Sequence, residues 1–468
     1  MSLAAAGIIH TRISSQQAIL LRGNKAAEDR TLLPAYCNSS PTLKAALIIP
    51  RIKNPMAEIV KTRVDVTNLK PGMYVCELDR PWLGTPFLLQ GFTIDSNQDI
   101  ETLAQVCSYV YIDERRGLAP SQAQHQGQPA WATSSDGVKP GSHRAYSDTI
   151  SWQQELQQAR PIIEKLNDTI EATLRAIVNN SPYDLTKLRY IVGPMVDSVI
   201  RNPDASIWLV RLRDQDDYQY KHALGVAVWV TALGRQLGLP RDELAHLAFG
   251  GVLLDIGKLK IPIEILQKTG SLNRQEYEQI KKHVEFSVDL MKAHGAISDD
   301  VFSMVAHHHE RFDGSGYPHG LSGAKIPLFA RIAAIADSYD AMTSCRHYAN
   351  AVSPSAAVSK LYEARTSLYQ TELIEEFIQA IGIYPAGTLV ELSDGRVGVV
   401  VAEYRTRRLR PRVLVLLDEE KHTLEMPRAL NLMETKNDSR GRPLHISRSL
   451  EPGSYDLRPE QLFRYDGS

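Results

Sequence analysis

Apolar residues recur at every third or fourth position through most of the region from residue 149 to residue 383. This spacing places them on one face of an α-helix, so the region is predicted to form a single α-helical domain. Its predicted helices span residues 152–179, 185–201, 220–237, 242–254, 274–294, 299–309, 328–343, 353–364 and 371–381. Pro161 interrupts the first of these patterns, because proline lacks the backbone N–H that a helix interior uses.

The pattern changes to short β-prone runs on both sides of this domain. Residues 56–114 combine strand-like runs, a Pro71-Gly72 turn and one helical pattern, which predicts a small α/β domain. Residues 384–430 contain three strand-like runs, and Asp394-Gly395 between the first two is typical of a hairpin. The predicted fold class is therefore mainly α, with a small N-terminal α/β domain and a short C-terminal β-subdomain.

Three segments lack a clear period. Residues 115–148 are rich in Gly, Pro, Ser and Gln and are predicted to be a flexible linker. Residues 431–468 are polar, with several arginines and prolines, so a loose tail is expected. Residues 1–55 are expected to be a disordered extension; the alternatives are that Met56 is the real start, or that residues 15–22 form a short docking helix.

Composition narrows the class of protein. The 468 residues suggest about three folded units, and 53 basic against 54 acidic residues argue against a partner that is a nucleic-acid polymer. The four cysteines form no C-x-x-C pair, which favours a reducing compartment over a disulfide framework. No run of 18 apolar residues occurs, so we expect a cytoplasmic protein with no membrane segment.

Histidine is concentrated in the helical domain, where nine of the 14 lie between His222 and His347. Several alternate with aspartates on different predicted helices or helix ends. The candidate ligands are His222, Asp255, His283, His308, His309 and Asp337. Imidazole and carboxylate are the usual ligands of divalent iron, manganese, zinc and nickel, and a helical bundle can point one inward from each of several helices. Any one of them alone is more simply a surface or core residue, but the ordered set predicts a metal centre.

One string in this region is highly specific. His308-His309-Glu310 is followed by Asp313-Gly314-Ser315-Gly316-Tyr317-Pro318. With the preceding histidines and aspartates, it resembles the HD-GYP family, a branch of the HD metal-dependent phosphohydrolases, over roughly residues 215–380. Residues 58–113 resemble a small domain of unknown function that often precedes such domains, and residues 384–430 resemble an appendage found in that subgroup.

The resemblance implies hydrolysis of cyclic di-GMP with two divalent metal ions, iron or manganese. Carried onto this chain, Asp255 would bridge the two metals. His283, His308 and His309 would complete one site, and His222 and Asp337 would serve the other. A hydroxide held between the metals would attack phosphorus.

The resemblance also implies the groups that meet the substrate. Asp255 and Lys258 would act in catalysis, and Lys258 and Arg346 match positions that contact substrate phosphate. The family's loop implies a role in substrate access or partner contact for four residues of this chain, Gly314, Gly316, Tyr317 and Pro318.

Leu254 is a departure from the family, which has histidine before the bridging aspartate. The site with His222 and Asp337 is left with three protein ligands. Two interpretations follow: a slower hydrolase, or a catalytically degenerate protein that binds cyclic di-GMP or a partner such as a GGDEF domain. The predicted helix 152–179 either mediates a homodimer or packs on the bundle.

Overall fold

A computed structural model describes residues 61–79, 92–94, 96–113, 146–211, 218–293, 297–344, 351–404 and 408–457. The chain divides after Glu58, and the described residues all belong to the second unit, from Ile59 onwards. The predictions for residues 1–55 and for most of the 115–148 linker therefore lie outside the described residues.

The N-terminal part is a small α/β structure, as predicted. Its antiparallel sheet has the strand order β1-β4-β2-β3, and one helix connects β3 to β4. The elements are β1 Lys61–Asp65, β2 Tyr74–Leu78, β3 Phe92–Thr93, α1 Asn97–Val106 and β4 Tyr109–Asp113. Ser96 and Asp99 cap the start of α1 with reciprocal hydrogen bonds, and Leu103 of this helix is fully buried in the small core.

The central part is a bundle of α-helices. Its helices are α2 Trp152–Val178, α3 Leu185–Arg201, α4 Pro203–Arg211, α5 Tyr218–Gln236, α6 Arg241–Leu253, α7 Ile263–Leu266, α8 Arg274–Lys281, α9 His283–Lys292, α10 Asp299–His307, α11 Leu328–Thr343, α12 Pro354–Glu363 and α13 Thr371–Ile381. The hydrophobic periodicity found most of them; α4 and the short α7 were not predicted. No helix within the described ranges combines the length and the apolarity needed to cross a membrane.

Helix α2 shows how the periodicity becomes packing. Its apolar residues at three- and four-residue spacing are buried against α3, α4 and α5, and Ser151 caps its start. The expected interruption at Pro161 is wrong, since the helix is continuous. Pro161 lies on the exposed face, where water can satisfy the carbonyl group that loses its partner.

Helices α5 and α11 form the centre of the bundle and pack against each other. Every residue from His222 to Arg235 of α5 is buried, and so is every residue from Phe329 to Asp337 of α11. A polar side chain on either helix is therefore held in an apolar, closely packed surrounding, and His222 and Asp337 are among the few that occur there.

The predicted helix 274–294 is instead two helices, α8 and α9, that meet at Lys282. His283 Nδ1 lies 2.6 Å from the carbonyl oxygen of Ile280, an acceptor that a continuous helix would use for a backbone N–H. This hydrogen bond fixes the orientation of the His283 ring directly after the break.

The C-terminal part is a five-stranded antiparallel sheet in the order β8-β7-β6-β5-β9. Its strands are β5 Leu389–Leu392, β6 Val397–Ala402, β7 Arg412–Leu417, β8 Thr423–Asn431 and β9 Ile446–Ser449. Successive residues of a strand face opposite sides of the sheet. Val399 belongs to the core of the helical bundle, and its neighbour Val400 belongs to a separate core within the β-subdomain.

The prediction of a loose tail is wrong for residues 431–457, which form an ordered part of the β-subdomain. Strand β9 pairs with β5, and Leu432 and Leu444 are fully buried beneath the sheet. The β-subdomain therefore continues well beyond residue 430. The last eleven residues lie outside the described part of the chain.

Candidate metal centre

The six predicted ligands come together in the bundle although they are up to 115 residues apart in sequence. Two groups of donor atoms form, each with all atoms within 4.8 Å of one another, and both contain the same aspartate. The first group is Asp255, His283, His308 and His309; the second is His222, Asp255 and Asp337. The side chains come from α5, α9, α11, the residues directly after α10 and the turn that follows α6.

Asp255 lies between the two groups, at the start of a 3-10 helix that follows α6. Its Oδ2 is 3.2 Å from His222 Nε2 and 2.5 Å from Lys258 Nζ. Its Oδ1 is 3.3 Å from His283 Nε2 and 3.9 Å from His308 Nε2. One carboxylate thus presents a different oxygen to each group, which is the arrangement a bridging ligand needs.

The hydrogen bonds of the histidines decide which ring nitrogen faces the cluster. His283 Nδ1 donates to the Ile280 carbonyl at 2.6 Å, and His308 Nδ1 donates to the Val305 carbonyl at 2.8 Å. The Nε2 atoms of the neutral rings therefore carry lone pairs toward the cluster. His308 Nε2 and Asp255 Oδ1 are buried and find no hydrogen-bond partner among the described residues.

The Nε2 lone pairs and the ionised Asp255 carboxylate carry no proton that could join them by a hydrogen bond. They therefore repel one another unless a cation lies between them. His309 Nε2 and His283 Nε2 are only 3.1 Å apart, which adds to this concentration of donors. The residues present therefore fit a bound divalent metal, and the fit rests on orphaned buried donor atoms rather than on sequence spacing.

The pKa values agree with this donor set. Burial lowers the pKa of His308 to about 4, and it also lowers the pKa of His283 and of His309. Burial alone would raise the pKa of Asp255, but Lys258 and the nearby imidazoles hold it well below its ordinary value. These three imidazoles are therefore neutral and the carboxylate is ionised at pH 7, as metal ligation requires.

Asp340 orients His222 from behind. Its Oδ2 accepts from His222 Nδ1 at 2.7 Å, and its Oδ1 accepts from Trp229 Nε1 at 2.9 Å. His222 Nε2 is thereby turned toward Asp337 Oδ1, at 3.0 Å, and toward Asp255. These contacts make Asp340 a support for a ligand rather than a ligand itself.

The Gly-Tyr-Pro loop forms a wall beside the first group. The Tyr317 ring stacks on His309 with 4.6 Å between centroids, and Tyr317 N–H donates to the His309 carbonyl at 3.2 Å. A Cβ atom on Gly316 would lie 2.3 Å from the backbone nitrogen of Arg311, so only glycine allows this approach. Gly314 has a φ of 84°, and the Tyr317-Pro318 bond is cis.

Three family models match successive parts of the chain. They are DUF3391, a domain of unknown function, over residues 61–188, an HD domain over 205–373, and a KOW domain associated with HD domains over 389–449. The cyclic di-GMP phosphodiesterase PA4108 of Pseudomonas aeruginosa is 33% identical over 358 residues, which are 75% of this chain and 84% of that relative. The chain belongs to the HD-GYP family.

Other relatives of this HD-GYP protein match over shorter stretches. The cyclic di-GMP phosphodiesterase response regulator RpfG of Xanthomonas campestris is 37% identical over 148 residues, 31% of this chain and 39% of that relative. The 3'3'-cGAMP-specific phosphodiesterase 1 of Vibrio cholerae is 40% identical over 140 residues, 30% of this chain and 32% of that relative. The chain thus spans less than half the length of either. The solved structure of the HDG"Y"P protein Bd1817 from Bdellovibrio bacteriovorus has a TM-score of 0.41 at 16% identity, covering 68% of this chain and 98% of that one.

Leu254 directly precedes the shared Asp255. The side chain is 1% exposed and belongs to the hydrophobic core, so it contributes no donor to the centre. Among the residues that the structure describes, the group that contains His222 has three members, as expected from the sequence. The backbone of Leu254 still takes part, because its carbonyl accepts a hydrogen bond from Ser287 Oγ at 2.9 Å.

Glu310 has a structural task that the sequence analysis did not assign. Its carboxylate is 1% exposed and accepts the backbone N–H groups of His319 at 2.7 Å and Leu321 at 2.9 Å. It thereby ties the far side of the Gly-Tyr-Pro loop to the His308-His309 pair. An acidic residue directly after two ligands was visible in the sequence, but its partners are backbone groups, which leave no mark there.

Of the two cations predicted to contact substrate phosphate, the structure describes only one. Lys258 lies beside Asp255, inside the centre. Arg346 falls in the 345–350 gap and lies outside the described residues. His307 and His319 lie with ring centroids 5.4 Å apart, and His307 Nδ1 bonds to the Ser303 carbonyl, so both stay apart from the two donor groups.

Proposed function

We propose that this protein is a metal-dependent phosphodiesterase that hydrolyses cyclic di-GMP. The observation that carries the proposal is the Asp255 carboxylate, whose two oxygens face two separate groups of imidazole and carboxylate donors. Two adjacent metals with one shared carboxylate form the kind of site that clamps both oxygens of an in-line displacement at phosphorus. The cyclic dinucleotides named for the relatives support the choice of substrate class.

The first donor group, which has three imidazoles, would hold one metal, and His222, Asp337 and the shared Asp255 would hold the other. Iron or manganese suits such a mixed set of nitrogen and oxygen ligands. When bound, these ions would supply Lewis-acid stabilisation of the phosphoryl charge and a water molecule of lowered pKa.

The chain's own groups prepare the centre for this task. Neutral imidazoles are ready to ligate without losing a proton, and Asp340 keeps His222 in the ligating orientation. The Lys258 ammonium beside Asp255 offers a charge-assisted hydrogen bond to a phosphodiester oxygen. Arg346 is proposed as a second cation for the phosphates.

The surface next to the Gly-Tyr-Pro loop suits a nucleotide. Lys281 Nζ lies 5.4 Å from the centroid of the Tyr317 ring and 5.0 Å from that of Tyr277, whose side is open to solvent. Aromatic faces offer stacking to bases, and a cation beside them offers a hydrogen bond to guanine acceptors or to the second phosphate.

A turnover assay tests the proposal. Purified protein supplied with Mn²⁺ or Fe²⁺ should convert cyclic di-GMP to the linear dinucleotide. His222→Ala and His283→Ala should lower kcat by at least about 100-fold, since a ligand loss exceeds the effect of an outer-shell change. His246→Ala, on α6 and outside both donor groups, is the matched control and should keep full activity. Turnover no higher than that of His222→Ala would contradict the proposal.

A second function is favoured by Leu254. With three protein donors, the site of His222 can be too weak to fill, and the protein would then be a receptor for cyclic di-GMP or an adaptor for a GGDEF-domain protein. Calorimetry separates this function from hydrolysis: a receptor binds cyclic di-GMP with metal present and leaves it intact. The variant Leu254→His should raise metal content and turnover if the missing imidazole limits the site.

A further inference from the structure

Ser287 lies behind the centre, one turn after His283 on helix α9, and it is fully buried. Its hydroxyl makes two hydrogen bonds to one short stretch of backbone. Oγ–H donates to the Leu254 carbonyl at 2.9 Å, and Oγ accepts the N–H of Gly257 at 2.8 Å. The two bonded groups flank Asp255 on either side, so a single side chain holds both ends of the turn that carries the shared carboxylate.

The same turn is pressed directly against the start of α9. A Cβ atom at Gly257 would lie 2.0 Å from the carbonyl oxygen of His283 and 2.5 Å from the backbone nitrogen of Ser287. No side chain fits between the two backbones, and the hydroxyl is the group that joins them. The position of Asp255 relative to His283 is therefore set where the two segments touch.

Because residue 254 is leucine, the turn that carries Asp255 needs a support such as the Ser287 hydroxyl. A histidine at this position would give the turn a second attachment to the metals, next to Asp255. The Leu254 side chain packs into the apolar core instead, so the metals would hold the turn through Asp255 alone. Its carbonyl is one of the unpaired groups at the C-terminal end of α6, and Ser287 supplies its partner.

We propose that Ser287 is a positioning residue of the metal centre. Its hydroxyl locks the Leu254–Gly257 turn to helix α9, so that each oxygen of Asp255 faces its own donor group. The inference rests on the proposed metal-dependent function, and it concerns the affinity for the metal before any substrate is bound.

The test is metal affinity in the full-length protein, measured with Mn²⁺ by calorimetry or equilibrium dialysis. Ser287→Ala should weaken Mn²⁺ binding about 10- to 100-fold, the range found when the support of a ligand is removed. In the turnover assay, kcat should fall while KM changes little, because the Gly-Tyr-Pro loop is untouched. Saturating Mn²⁺ should restore part of the lost rate.

Two comparisons separate positioning from a general loss of packing. Ser198→Ala removes another fully buried hydroxyl, 3.0 Å from Ser206 Oγ and outside the metal centre, and it should lower the melting temperature without changing Mn²⁺ affinity. Ser287→Thr and Ser287→Val have the same shape and differ by the hydroxyl alone, so Thr should bind Mn²⁺ more tightly than Val, even if Ser287→Ala does not fold.

The outcomes distinguish this inference from the proposed function. If the wild-type protein binds Mn²⁺ and Ser287→Ala binds it equally well, the positioning role is wrong and the function stands. Equal affinities of the Thr and Val variants, or an equal loss in Ser198→Ala, would also overturn the role. If the wild-type protein binds no metal, both the function and this inference fail.

Discussion

At the scale of the residue, the centre depends on hydrogen bonds that orient ligands rather than on the ligands alone. His283 and His308 donate Nδ1–H to carbonyl groups of their own helical turns, which leaves Nε2 for the cluster. His222 uses a carboxylate, Asp340, for the same purpose. A carboxylate is a stronger acceptor than a carbonyl, so Asp340 is where a small change should have a large effect.

Asp340→Asn tests this support. The amide cannot accept from both His222 and Trp229 as the carboxylate does, so the imidazole loses its fixed orientation. We expect Mn²⁺ affinity to fall about 10- to 100-fold, with a similar loss of kcat. Asp289→Asn, on the exposed side of α9, is the control and should change neither value. Unchanged Mn²⁺ affinity in Asp340→Asn would show that His222 needs no such support.

At the scale of the element, the Gly-Tyr-Pro loop is an ordered wall and not a free lid. Glu310 holds its far side, the backbone of His309 holds Tyr317, and Gly316 packs against Arg311 without room for a side chain. The loop is attached to the same residues that supply two ligands, so a movement of the wall is coupled to the geometry of the ligands.

Glu310→Gln should release this wall. An amide oxygen can accept one of the two backbone N–H groups, while its NH₂ group opposes the other. Leaving a buried N–H unpaired costs roughly 1–3 kcal/mol of unfolding free energy, and the stacking of Tyr317 on His309 should loosen. Denaturant titration and KM for cyclic di-GMP measure the two effects. Glu264→Gln, exposed on α7, should be neutral in both; a neutral Glu310→Gln would contradict the anchoring role.

Two lysines, one at the end of α8 and one at the end of α9, allow a matched test of the substrate surface. Lys281 and Lys292 each pair with an acidic residue three positions earlier, but the Lys281 side chain is 26% exposed and lies over aromatic rings, whereas that of Lys292 is 66% exposed. Lys281→Met should raise KM for cyclic di-GMP about 5- to 10-fold through the loss of roughly 1 kcal/mol of binding, with little change in kcat. Lys292→Met should leave KM unchanged, and equal effects of the two variants would exclude a role in substrate binding.

At the scale of the whole molecule, the large apolar core of the helical bundle surrounds a cluster of imidazole and carboxylate groups. Helices α5 and α11 are buried on all sides over most of their length, and this packing forces His222 and Asp337 together. The fold therefore does not depend on the metal as a zinc finger does, but it holds neutral imidazoles and ionised carboxylates that are costly to bury.

The metal-free protein should consequently lose stability as the pH falls. Burial lowers the pKa of His308 from 6.5 to about 4. Between these values the unfolded chain binds a proton that the folded protein does not, so the free energy of unfolding decreases as the pH drops through this window. The lowered pKa of Asp255 acts in the same direction at still lower pH.

Denaturant titration of chelator-treated protein at about pH 7 and about pH 5 measures this change. His308→Asn should reduce the difference between the two pH values. His422→Asn, which alters an exposed histidine, should not reduce it. An unchanged pH dependence in His308→Asn would mean that other groups cause it.

Much of the fold was predictable because its helices carry regular apolar periods; α3, α11 and α13 begin and end where the sequence pattern placed them. The errors have causes that an apolar period does not record. A hydrogen bond from the His283 side chain to the Ile280 carbonyl accompanies the break between α8 and α9, and β9 is a four-residue strand that acquires its partner from β5, more than fifty residues away.

The sequence by itself determined the types of donor and their order along the chain, because imidazole and carboxylate chemistry belongs to the residue. It also showed that Leu254 can offer no ligand. Only the tertiary structure decided which oxygen of Asp255 faces which donor group, which ring nitrogens stay free, and that Ser287, Glu310 and Asp340 hold the centre in place. The contacts of Ser287 with Leu254 and of Asp340 with His222 join segments far apart in the chain, and such contacts exist only once the helices have packed.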